Sequence, residues 1–119
     1  MKRFLALAST LLLVCATLNA QSETGLRVGT ALVEINPDIF PFQLRSGPSK
    51  YVHDPLHVRA IAFQNGEGRF AFALIDAIGY GREKADEAKT IVAKRTGWKA
   101  EEMLVSATHT HSAPKGGDT

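Results

Sequence analysis

Two histidines, His109 and His111, are the residues of this 119-residue chain whose type and spacing best suit chemistry. They stand two positions apart, directly after a short apolar run. In extended backbone, residues i and i+2 project to the same side. Two such imidazoles can share a metal ion, or one can bind the metal while the other carries a proton. The spacing therefore indicates a metal site, although histidines of ordinary loops show the same spacing.

Zinc is a metal that suits imidazole ligands. At catalytic sites, zinc usually takes three protein ligands and a water molecule. The segment Ser112-Ala113-Pro114, followed by Gly116 and Gly117, comes directly after the histidines. Proline fixes the backbone and glycine frees it, which suits a loop shaped around a ligand and equally suits a plain surface turn.

Four other polar residues are weaker candidates. Asp76 follows an apolar run and can either orient a histidine as a hydrogen-bond acceptor or cap the next turn. Arg59 is expected to be solvated or salt-bridged rather than to contact a substrate. His53 and His57 flank a proline, and we expect a loop residue and a strand-entry residue, respectively.

The elements that would position the two histidines form a predicted βαβ unit. Residues 70–75 are almost wholly apolar, as in a strand buried on both faces. Residues 82–96 have apolar side chains at helical spacing, and Gly97 stands where a left-handed C-cap is expected. Residues 103–107 form another short apolar strand. Parallel strands and a right-handed crossover are expected, with the histidines past the carboxyl end of the last strand, where open α/β sheets bind ligands.

The sequence pattern before residue 76 predicts further strands. Residues 26–35 alternate as a strand does, and residues 39–55 carry three prolines and read as a long loop. Two apolar runs, 57–63 and 69–75, are separated by a glycine-containing connection that predicts a β-hairpin. The predicted fold class is therefore α/β, with a mixed β-sheet in which a β-hairpin precedes the βαβ unit.

The first twenty residues are typical of a secretory signal peptide. Lys2 and Arg3 precede an apolar run over residues 4–14, and Ala20 offers a cleavage site. The apolar run is shorter than the roughly 20 residues that a membrane anchor needs. Cys15, the only cysteine, lies in this segment, so the mature part 21–119 is expected to have no disulfide. A secreted or periplasmic location follows from this hypothesis.

The composition excludes little beyond nucleic-acid binding. The formal net charge is +2, and the sequence has no basic stripe of the kind that contacts phosphates. Composition is that of a globular protein, and it does not indicate an oligomeric state.

The segment Val105–Pro114 resembles the Ser-Ala-Thr-His-Thr-His-Ser-Gly-Pro signature of the neutral, non-lysosomal ceramidases. Weaker similarities precede it in matching order, at residues 28–31, 35–37, 54–56, 58–60 and 74–76. The sequence departs from the family at Ala113 and Lys115, where glycines are usual.

This resemblance implies an exported, zinc-dependent amidohydrolase that cleaves the N-acyl bond of a ceramide-like lipid amide, with possible contact to a membrane surface through its substrate. His109 matches a zinc ligand of the family, and His111 matches a second histidine of the active site. The family's other ligands, a histidine, a glutamate and a tyrosine, come from later in its chain. Residues 21–119 are thus expected to form an incomplete N-terminal portion of a larger catalytic domain, inactive by itself.

Two other functions remain open. The chain can be a non-enzymatic or decayed binding module of the same fold, which the departures at Ala113 and Lys115 favour. It can also belong to a metal amidohydrolase that acts on a substrate other than a sphingolipid. No residue of the sequence can be assigned to the recognition of an acyl chain or a sphingoid head group.

Overall fold

The computed structural model describes residues 25–114, so the expected signal peptide at residues 1–20 lies outside the described residues. The elements, in chain order, are β1 (Arg27–Glu34), β2 (Phe42–Leu44), β3 (Gly47–Ser49), β4 (His57–Asn65), β5 (Gly68–Ile75), α1 (Arg82–Thr96), a 3-10 turn (Ala100–Glu102) and β6 (Met103–Ala107).

The main unit is a four-stranded sheet in the order β1-β4-β5-β6. The β1–β4 and β4–β5 pairs are antiparallel, and the β5–β6 pair is parallel. The mixed sheet with a hairpin followed by a β-α-β segment, as the sequence predicts, is therefore confirmed. Within residues 25–114, no helix has the length and apolar character that a membrane crossing requires.

The β4–β5 hairpin forms where the glycine-containing connection predicts it. Asn65 pairs with Gly68, which leaves Gly66 and Glu67 as the turn. Gly66 has φ 57, a value that glycine adopts without the steric cost that a Cβ would add. Two-residue hairpin turns require such a positive φ, which is why a glycine here specifies the hairpin.

Helix α1 spans residues 82–96 as predicted and connects the two parallel strands. Gly97 ends it with φ 72, and its N–H donates to the carbonyl of Ala93 over 2.9 Å. Glu83 lies in the first turn and Lys94 and Arg95 in the last, which suits the helix dipole. The sequence therefore accounts for where the helix ends, at the left-handed Gly97, whereas Gly81 at its N-cap provides no side-chain hydrogen bond.

The two faces of the sheet differ in burial. Ile75 and Met103 lie on one face and are 7 % and 8 % exposed. Phe70 and Leu104 lie on the other face and are 44 % and 50 % exposed. The prediction that residues 70–75 are buried on both faces is therefore wrong, since Ile75 is buried, residues 71–74 are half-buried and Phe70 is exposed. Nothing in the described part of the chain fully covers the face that carries Phe70.

The predicted loop at residues 39–55 contains a small hairpin, so the loop prediction is wrong in part. Phe42 pairs with Ser49 and Leu44 with Gly47, across a turn at residues 45 and 46. Gly47 has φ 121, which only glycine adopts readily. Three-residue strands are too short to show an alternating pattern, and Pro48 argues against a strand on sequence grounds.

Three strand termini that surround the candidate site lie at the same end of the sheet. Because β5 and β6 are parallel and β4 is antiparallel to β5, the ends of β5 and β6 meet the beginning of β4. The N–H of Thr108 donates to the carbonyl of Ile75, and the N–H of Asp76 donates to that of His57, each over 2.9 Å. Segments 57–59, 76–78 and 108–114 are thereby held together.

Candidate metal centre

The imidazole rings of His109 and His111 lie side by side. Their centroids are 5.2 Å apart, and the ring planes meet at 76°. Both residues are exposed. The rings therefore neither point apart nor lie among aliphatic side chains, and both are open to a ligand.

The backbone conformation that brings the two rings together differs from the extended conformation that the sequence predicts. Strand β6 ends at Ala107, and His109 has φ 61 in the left-handed region. The explanation from extended backbone, in which residues i and i+2 share a side, is therefore wrong here. The chain turns at His109, which costs about 1–2 kcal/mol for a residue with a Cβ. Strain of this kind tends to occur at functional sites.

The tautomer of His109 follows from its hydrogen bond. Nδ1 of His109 lies 2.6 Å from the carbonyl oxygen of Ile78, in the connection between β5 and α1. A carbonyl oxygen only accepts, so Nδ1 carries the proton and donates it. The lone pair of neutral His109 is then on Nε2. Metal-binding histidines commonly show this pattern, with one ring nitrogen on a carbonyl and the other on the metal.

The described residues supply only part of a zinc site. No group of three or more His, Cys, Asp or Glu side chains that could hold a metal occurs between residues 25 and 114. Two imidazoles on one tetrahedral zinc would have ring centroids roughly 5 Å apart, given Zn–N distances near 2.0–2.1 Å. The observed separation fits that arrangement, and it equally fits one ligand beside one proton carrier. The two imidazoles are thus ligands of a type that zinc binds, but they are fewer than the three protein ligands that a catalytic zinc usually has.

Two clefts adjoin the histidine segment. The larger, of about 850 Å³, is lined among others by Arg59, Asp76, Thr108, Thr110 and Ser112. The smaller, of about 480 Å³, is lined by His109 together with residues of the β5–α1 connection and the 42–45 hairpin segment. Both clefts share walls from the β2–β3 hairpin, so this hairpin is part of the site surroundings.

Asp76 does not contact either histidine of the pair. Its Oδ2 accepts from Nη1 of Arg59 over 2.7 Å and from the backbone N–H of His57 over 3.0 Å. Within residues 25–114 neither role expected for Asp76 is seen, because its carboxylate accepts from Arg59 and from the backbone of His57 rather than from a histidine ring or from the turn that follows it. Arg59 is salt-bridged, as expected.

The environment of Asp76 lowers the pKa of its carboxyl below the ordinary 3.8. Burial by itself would raise this pKa. The hydrogen bonds from Arg59 and from the backbone of His57, together with the charge of the Arg59 guanidinium, outweigh the effect of burial on this pKa. Asp76 is therefore an anion throughout the neutral range.

The remaining histidines lie apart from the pair. Nδ1 of His53 lies 3.0 Å from Oδ2 of Asp54, with both side chains largely exposed. His57 begins β4, as expected, and its Nδ1 lies 3.5 Å from Nη2 of Arg59. His53 lines the larger cleft, while neither histidine joins the His109–His111 ring pair.

Sequence reasoning missed the backbone part of the site. The contact from Ile78 uses its backbone carbonyl, which every residue has, so residue type could not indicate it. The strands of the β2–β3 hairpin are too short to show a sequence pattern. Ala113 and Pro114 are buried, with Ala113 only 3 % exposed. Ala113 and Pro114 are therefore packed, whereas Ser112 is exposed and residues 116–117 lie outside the described residues.

No family model matches the chain, and no curated protein matches it.

Proposed function

We propose that this chain carries part of the zinc site of an exported amidohydrolase of the neutral ceramidase type. His109 acts as a metal ligand through Nε2, and His111 acts beside it as a catalytic residue. The observation that supports this most is the hydrogen bond from Nδ1 of His109 to Ile78, since it leaves Nε2 available next to a second imidazole. The resemblance of residues 105–114 to the ceramidase signature supplies the reaction class.

Each residue has a definite task in this proposal. Zinc, when bound, lowers the pKa of a water molecule to about 7 and polarises an amide carbonyl. His111 is exposed, and its ring makes no hydrogen bond within the described residues, so it is free to move a proton to the leaving amine. Ile78 keeps His109 in one tautomer.

The metal site needs further ligands beyond the described residues. About three protein ligands are usual at a catalytic zinc, and residues 25–114 offer two imidazoles. We therefore expect the 119-residue chain alone to show no amidase activity. Measurable ceramide turnover by the isolated chain would contradict this part of the proposal.

The substrate in this proposal is a lipid amide such as ceramide, met at a membrane surface outside the cytoplasm. The larger cleft supports an apolar ligand, because Phe40, Phe42, Leu44 and Leu56 contribute to its lining. A panel of N-acyl amides, tested on the product of the complete reading frame, separates the possible substrates. Cleavage of simple amides but not of ceramide would replace the sphingolipid assignment with a broader amidohydrolase.

A non-enzymatic binding module is the second candidate. The departures from the family signature at Ala113 and Lys115 favour it, since the family usually has glycines there. The discriminating observation is whether the same reading frame encodes a further histidine, glutamate and tyrosine downstream.

Zinc stoichiometry tests the metal assignment directly. The product of the complete reading frame is purified as wild type and as His109→Ala, His111→Ala and His53→Ala, and zinc is measured by elemental analysis. His109→Ala should lose most of the bound zinc, and His53→Ala, the matched control, should keep it. His111→Ala should keep zinc if His111 is a proton carrier and lose it if it is a second ligand. Equal zinc in His109→Ala and wild type would remove His109 from the ligand set.

A further inference from the structure

The larger cleft contains a charged pair with unused hydrogen-bonding capacity. Arg59 and Asp76 both line this cleft. Oδ2 of Asp76 accepts from both Arg59 and the backbone of His57. Oδ1 of Asp76 accepts no hydrogen bond from any residue between 25 and 114. A carboxylate can accept on both oxygens, so Oδ1 is an acceptor without a partner in the described part of the chain.

Arg59 has donors to spare as well. Its side chain is 49 % exposed, and Nη2 makes only a long contact of 3.5 Å with Nδ1 of His57. A guanidinium carries more N–H groups than these two contacts occupy. The side chain of Asp76 is only 15 % exposed, so a hydrogen bond formed there is less weakened by competing water.

The charge balance of the pair selects the kind of ligand. Arg59 and ionised Asp76 neutralise each other, so an anionic ligand would be repelled by Asp76 and a cationic ligand by Arg59. A neutral group that both donates and accepts has no such penalty. A hydroxyl group does both from one oxygen atom. A trans amide presents its N–H and its C=O in opposite directions and cannot satisfy two adjacent side chains in this way.

We propose that Arg59 and Asp76 form a hydroxyl-binding subsite of the larger cleft. The ligand hydroxyl donates to Oδ1 of Asp76 and accepts from a free N–H of Arg59. Thr110 and Ser112 line the same cleft, so a ligand held by this pair extends towards the histidine-bearing segment. The subsite needs no metal ion and does not depend on the proposed hydrolysis.

A pair of matched ligands tests the subsite. N-octanoylethanolamine and N-ethyloctanamide differ by one hydroxyl group. Each is titrated into the isotopically labelled 119-residue chain with a chelator present, and Kd is obtained from the NMR chemical shifts. The hydroxylated ligand should bind about tenfold more tightly, as expected for hydrogen bonds to charged groups. The Nε–H signal of Arg59 should move with this ligand alone.

Three variants locate the effect. Asp76→Asn and Arg59→Met should each reduce the preference for the hydroxylated ligand about threefold or more. Asp86→Asn is the matched control, because Asp86 lies 3.6 Å from Nε of Arg82 in an exposed pair on α1. This control should keep the full preference.

Asp76→Asn can also weaken the fold, since Asp76 holds the N–H of His57. The Arg59→Met variant and the Arg59 signal in wild type decide the question in that case. Equal affinity of wild type for the two ligands, or an undiminished preference in Arg59→Met, overturns the proposal. Loss of zinc in His109→Ala does not bear on it, so failure of the metal site and failure of this subsite are distinguishable.

Discussion

Nδ1 of His109 and the carbonyl oxygen of Ile78 are 2.6 Å apart, although the two residues are 31 positions apart in the chain. The contact joins the segment after β6 to the connection after β5. A second hydrogen bond, from the N–H of Ile78 to the carbonyl of Pro114 over 3.4 Å, joins the same two segments. Orientation of the His109 ring is thus set by the parallel β5–β6 pair that brings these segments together.

The first prediction concerns the protonation of His109. In its neutral form, His109 should carry its proton on Nδ1, because only a donor can face the Ile78 carbonyl. Nitrogen-15 NMR of labelled histidine side chains distinguishes the two tautomers. Ile78 cannot be tested by side-chain substitution, since its backbone makes the bond. A His109 protonated mainly on Nε2 would mean that the contact does not persist in solution.

The second prediction uses the left-handed backbone of His109. Compared with His109→Ala, His109→Gly should have a free energy of unfolding about 1 kcal/mol higher, because glycine adopts φ 61 without steric cost. Both variants lose the imidazole equally, so the difference isolates the backbone. Chemical denaturation of the two variants gives the measurement.

The matched control for this pair is Thr90, an exposed residue of α1. There the order should reverse, with Thr90→Ala about 1 kcal/mol more stable than Thr90→Gly. The same order at both positions would show that residue 109 is not left-handed in solution.

The sequence sufficed for elements whose signals are local. Helix α1 has charged ends and Gly97 at its C-cap, and the β4–β5 turn has Gly66, so both were predictable. The β2–β3 hairpin was not, because strands of three residues show no period. Burial of Phe70 was also misjudged, since an apolar strand does not reveal whether both of its faces have a covering layer.

For the candidate site, residue types identified the pair but not its geometry. His109 and His111 are adjacent through a turn at His109, which spacing alone does not reveal. The pairing of Asp76 with Arg59 depends on the register between β4 and β5, where Arg59 faces Leu74. The register of the hairpin determines which side chains meet, and residue types alone do not predict that register.

The third prediction concerns acid stability. The pKa of Asp76 is lower in the folded chain than its ordinary value of 3.8. A lowered folded pKa gives stability that is present above the unfolded value and is lost as pH falls through the folded value. The stability advantage of wild type over Asp76→Asn should therefore be constant from neutral pH to about pH 5 and shrink below about pH 4. Denaturation curves over this range provide the test.

Arg59 is the control for the cause of this acid dependence. The Asp76→Asn substitution is compared in two backgrounds, one with Arg59 and one with Arg59→Met. If the hydrogen bond and charge of Arg59 lower the pKa of Asp76, the pH-dependent effect of Asp76→Asn should be smaller in the Arg59→Met background. An unchanged pH profile in that background would assign the effect to the backbone N–H of His57 instead.

The fourth prediction separates the two faces of the sheet at neighbouring positions of β6. Met103 is 8 % exposed and lies beside Ala71, whereas Leu104 is 50 % exposed and lies beside Phe72. Met103→Ala should lower the free energy of unfolding by about 2–3 kcal/mol, because a buried side chain leaves a cavity. Leu104→Ala should cost about 1 kcal/mol or less, since half of its surface already meets water. Both variants truncate a long side chain to alanine in the same strand, so strand propensity largely cancels in the comparison. Equal losses measured by denaturation would mean that the Leu104 face is covered by chain outside residues 25–114, and the apolar face of β5 and β6 would then not be exposed in solution.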